Sequence, residues 1–168
     1  ATRGRIMALA AVAVLLFFLA PPPEVFYYQG SLVLFVLIGL SDYAVARQPF
    51  GRPWHRYVFI ALDFALMTYI FVAPNPFEVL QAPVQMQLRN GTAIYFFMLM
   101  AGFAFSFNPR VMIWAGVAAA VCWIVGTGTL IARPETLTWY GMSLDEILAN
   151  PDASIALALD PHFVDINM

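Results

Sequence analysis

The stretch YVFIALDFALMTYIFV runs from Tyr57 to Val72. It is apolar from end to end except for Asp63, and it reads as one pass of a helix through a bilayer. A charge at mid-membrane costs about 2.5–3.5 kcal/mol on insertion scales. The carboxylate is therefore expected to face the interior of a helix bundle, protonated or paired. The choice there lies between a functional acid and a structural one that bonds a neighbouring helix.

The rest of the chain agrees with a membrane setting. Of its 168 residues, 62% are hydrophobic and 11% charged, against about 25% charged in a soluble domain. Mean hydropathy is +0.78. The expected fold is all-α: a polytopic bundle with spans near 5–20, 25–46, 56–73, 92–107 and 110–132. Together these form a membrane unit over 1–133. Residues 134–168 are acidic and are expected to carry short helices outside the cytoplasm. The stretch 79–90 is too polar to span and fits a partial helix along the interface. Ser143 and Glu146 form a capping box for a helix over 144–149. A second short helix is expected around 153–160, with Asp160-Pro161 as a break.

The first segment has a competing reading. Arg3 and Arg5 followed by IMALAAVAVLLFFLA resemble the charged and apolar regions of a secretory signal. The continuing hydrophobicity after Pro21-Pro22-Pro23 favours a true first helix. All eight basic residues are arginines. With a cytoplasmic N-terminus, Arg3, Arg5, Arg47, Arg52, Arg56 and Arg110 fall inside, and Arg89 and Arg133 outside. That distribution satisfies the positive-inside rule. The absence of lysine excludes a Schiff-base mechanism.

Asp42, five residues before Arg47, is the second acid within an apolar segment. By helix rise it lies about 7–8 Å from the loop 47–56, and Asp63 about 9 Å from it. The two acids are expected at similar depth on antiparallel helices, with Arg47, Arg52 and Arg56 as ion-pair partners. His55 and His162 are the two histidines. They fall on opposite sides of the membrane, which disfavours a shared haem; His55 beside Trp54 reads as interfacial. Cys122 can form neither an intrachain disulfide nor a metal site alone. Gly126-Thr127-Gly128 lacks the lysine and strand of a phosphate loop. Ala115, Gly116, Ala118, Ala119 and Ala120 suggest close helix packing. No basic stripe points to nucleic acid.

Four stretches carry a resemblance: PEVFYYQGSLVLFVLIG (23–39), LDFALMTYIFVAPNPF (62–77), QMQLRNGTAIYFFMLMA (85–101) and LDPHFVDINM (159–168). In order and spacing they resemble the N-terminal membrane region of bacterial class III adenylate/guanylate cyclases. The resemblance implies a sixth membrane helix after Met168, then a cytoplasmic cyclase domain. It implies a dimer in the bacterial inner membrane, and ATP with Mg²⁺ or Mn²⁺ at a catalytic site whose residues are not in this chain. Asp63 and Asp42 would then belong to a regulatory anchor, open to an unidentified membrane or extracytoplasmic ligand. The chain's own residues leave two other readings open. One is an accessory subunit of an electron-transport or light-harvesting complex, and the other a small transporter using Asp63.

Overall fold

The computed structural model describes residues 10–14, 16–18, 22–48, 54–78, 83–86, 93–104, 107–138 and 151–164. The regular structure among them is helical: α1 (Glu24–Ala46), α2 (His55–Val72), α3 (Ala93–Ala104), α4 (Pro109–Ile131) and α5 (Pro151–Leu159). Residues 10–14 and 16–18 are also helical. An isolated parallel bridge joins Leu137 and Phe163. The expected helix over 144–149 lies outside the described residues. The one expected around 153–160 is α5, which ends just before Asp160-Pro161.

Three helices, α1, α2 and α4, are long and apolar enough to cross a membrane, and their bounds match the sequence expectation within a residue or two. The other two expected spans are not established. The described helical residues of the first segment are too few. The fourth segment was expected to be helical over 92–107, yet α3 has 12 residues. Its rise is about 18 Å, against about 30 Å of hydrocarbon. Phe107 is not helical at all: its φ is 51°. A bulky residue in that left-handed region is strained, and the reversal falls immediately before α4. There Asn108 caps α4, accepting from the Arg110 amide at 3.1 Å, and Pro109 takes the first helical position, where no amide donor is needed.

α2 is the centre of the bundle, packing against α1, α3 and α4. It runs antiparallel to α1 and parallel to α4. At their starts, the Trp114 indole donates to the Tyr57 carbonyl at 2.8 Å and stands edge-on to the Tyr57 ring at 5.9 Å. At their ends, Arg133 donates to the Val72 carbonyl at 3.2 Å, satisfying one of the orphan acceptors at a helix C-terminus. Between these ties lies the core of Ile60, Phe64, Phe96, Val111, Ala115, Ala118 and Ala119. α3 closes it with aromatic rings: Phe96 lies 5.9 Å from Phe64, nearly parallel to it, and 5.2 Å from Trp123, edge-on.

Apolar burial drives little helix association in lipid, where the alternative surroundings are equally apolar; close van der Waals contact does more. Gly126 supplies it. A Cβ there would collide with Thr68 Cγ2 and lie 3.1 Å from Val72 Cγ2. Thr68 cannot turn away freely, because its hydroxyl donates to the Phe64 carbonyl at 2.9 Å. Gly126→Val is therefore expected to lower bundle stability by about 1–3 kcal/mol, as overpacking does. At Gly116 an added Cβ meets nothing within 4 Å. Gly116→Ala should be neutral or gain up to about 1 kcal/mol from helix propensity. Thermal unfolding of both variants in one detergent gives the comparison.

Candidate functional site

Asp63 is 1% exposed. It sits on α2 beside Ile60 and Phe64, which are buried with it, and it has an interaction partner in the fold. The expectation that it faces the bundle interior is met. The helical spacing of Ile60, Asp63, Phe64 and Met67 explains why: positions three and four apart share a face, and that face meets the core.

The placement of Asp42 differs from the expectation of similar depth. Its Oδ1 lies 3.6 Å from His55 Nε2. His55 begins α2, so Asp42 is level with the helix start, about 12 Å of rise before Asp63. The contact brings the last turns of α1 to the first of α2. The partner found for Asp42 is thus His55 instead of Arg47, whose guanidinium stacks over the Tyr43 ring at 4.3 Å. That stacking lets the cation stay at the surface while its stem packs. Arg56 is exposed in the first turn of α2, and Arg52 lies outside the described residues.

Several polar side chains in the fold were not singled out by the sequence. Gln29 donates to the Ala13 carbonyl at 2.7 Å, tying the first segment to α1. Gln85, 2% exposed, donates to Thr136 Oγ1 at 2.9 Å. That hydroxyl in turn donates to the Leu130 carbonyl at 2.6 Å. The chain then continues to Leu137, whose amide donates to the His162 carbonyl at 3.1 Å. The Val164 amide donates back to the Leu137 carbonyl at 2.8 Å. Residues 160–164 are thus held against the segment that leaves α4. A glutamine inside an apolar run was the available signal for Gln29; Gln85, in a polar stretch, offered none.

Among the described residues, no group of three His, Cys, Asp or Glu side chains could hold a metal ion. What the arrangement provides is mechanical and electrostatic: one buried carboxylate between tightly packed helices, and an acid–histidine pair at the end of a hairpin. Compared with protein-family models, curated proteins and solved structures, the chain matches none.

Replacing the buried Asp63 removes its interaction within the fold, and losing the interaction of a buried polar group costs about 1–3 kcal/mol. Asp63→Leu is expected to lower the unfolding temperature in detergent clearly, and Asp63→Asn, which keeps a carbonyl acceptor, by less than half as much. Gln85→Leu is expected to free residues 132–138, read as faster proteolysis at Arg133.

Proposed function

We propose that this chain is the membrane anchor and regulatory bundle of a nucleotide cyclase that makes cyclic AMP from ATP. The observation that best supports an anchoring role is the environment of Asp63. A carboxylate 1% exposed, on the helix that touches every other span, couples the packing of the bundle to its own charge and bonding. Such a group can bias one helix packing over another. The cyclase half of the proposal rests on the resemblance of residues 23–39, 62–77, 85–101 and 159–168 to cyclase membrane regions.

In this reading the N-terminus and the 47–56 loop lie in the cytoplasm, by the arginine distribution. The bundle sits in a bacterial inner membrane and pairs with a second copy, as the catalytic domains of that family work in dimers. The ATP site and its Mg²⁺ or Mn²⁺ ions belong to a cytoplasmic domain, and the residues here act on it only through helix position.

The test uses the natural protein in membranes of a host with no cyclase of its own. Its intact mass should lie well above 18.7 kDa, and ATP with Mg²⁺ or Mn²⁺ should yield cyclic AMP. Asp63→Asn should change that rate at least threefold at equal protein level. A natural protein of this mass that makes no cyclic nucleotide would overturn the reading.

A further inference from the structure

Arg47, Arg56 and Arg110 gather at the end of the bundle where α1 stops and α2 and α4 begin. The Asp42–His55 contact at 3.6 Å and the bond from Trp114 to the Tyr57 carbonyl at 2.8 Å hold these three helix ends together. Arg47 directly follows α1, Arg56 lies in the first turn of α2 and Arg110 in the first turn of α4. By helix rise they fall within about 10 Å of one another in depth. All three are exposed, and none makes an ion pair with a described residue. The adjoining sequence supplies no acid: none occurs between Asp42 and Asp63 or between Arg89 and Arg133. At the opposite end, by contrast, Arg133 lies 4.0 Å from Glu135 and donates to the Val72 carbonyl.

Two of these arginines head a graded stripe. Going inward along α1, Arg47 is followed by Tyr43 and Leu40; along α4, Arg110 is followed by Trp114 and Val117. Steps of four and then three keep each set on one helix face. The two rings and the two aliphatic side chains are each at least 40% exposed. Each stripe thus runs from cation through amphipathic ring to aliphatic side chain. A phospholipid presents the matching order, from phosphate through glycerol to acyl chain. The Arg47 guanidinium lies over the Tyr43 ring at 4.3 Å. Stacked by its face, it keeps its in-plane N–H groups free to donate in pairs to phosphate oxygens.

We propose that Arg47, Arg56 and Arg110 form a docking surface for anionic phospholipid headgroups, of which phosphatidylglycerol is the simplest. The guanidinium groups take the phosphate, and the stripes behind Arg47 and Arg110 take the glycerol region and the acyl chains. A zwitterionic lipid suits this end less well, because its own ammonium adds to a surface that is already positive. A free phosphate or a soluble acidic protein would use the arginines but not the stripes. The inference rests on the membrane part of the proposed function and does not draw on the cyclase part.

The experiment is native mass spectrometry of the whole protein released from nanodiscs holding equal phosphatidylglycerol and phosphatidylcholine. The wild type should retain the glycerol lipid about fivefold or more over the choline lipid. Arg47→Gln, Arg56→Gln and Arg110→Gln together keep polar side chains there but remove the charge, and should bring the ratio near one. The same three positions changed to lysine keep the charge and should keep most of the preference. Should the triple glutamine variant fail to fold or insert, Arg110→Gln alone, exposed in the first turn of α4, is expected to halve the preference. Equal retention of both lipids by the wild type, or an unchanged preference in the folded glutamine variants, overturns the proposal. So does a preference lost as fully with lysine as with glutamine, since the cause would then be packing and not charge. Neither result depends on whether the natural protein makes cyclic AMP.

Discussion

The close parallel contact between α2 and α4 is the constraint on which the rest of the bundle depends. It exists because Gly126 presents no side chain to Thr68 and Val72, and because Ala115, Ala118 and Ala119 leave room for Ile60 and Phe64 in the core. In lipid, such shape fit must supply what water supplies elsewhere. Once the two helices are seated, the remaining core positions follow. Phe96 and Trp123 meet edge to face, and α3 is held by its rings although it is too short to hold itself across a bilayer.

Asp63 is buried on α2, the helix at the centre of the bundle. An isolated acid facing lipid is expensive, whereas one enclosed with a partner between packed helices can persist. Hydroxyls on the three long helices are also bonded within the chain. Thr68, Thr127 and Ser31 each return their proton to a carbonyl of the preceding helical turn, so the polar content of the spans is met locally.

Much of this was legible in the residues. The bounds of α1, α2 and α4 follow from long apolar runs closed by proline or arginine, and the inward face of Asp63 from the cost of charge in lipid. What the residues did not disclose has physical reasons. The fourth segment is apolar up to Phe107, and apolarity alone cannot report a backbone reversal that a bulky residue adopts against its own preference. Asp42 was matched with arginines by distance along the chain. Its pairing with His55 depends on how one helix end meets the next, which is three-dimensional. Asn75 and Gln85 lie in polar turns, where a buried and an exposed amide look alike until the chain is folded around them.

The two ties between α2 and α4 stand at opposite ends of the pair, Trp114 to Tyr57 at one and Arg133 to Val72 at the other. Two parallel rods pinned at both ends cannot slide past each other, and they resist bending better than either alone. Together they form a strut. A force applied where Arg133 holds Val72 arrives where Trp114 holds Tyr57, with little of it spent in deforming what lies between. α1 joins this strut along one side, as a hairpin arm with its acid–histidine pair at the near end.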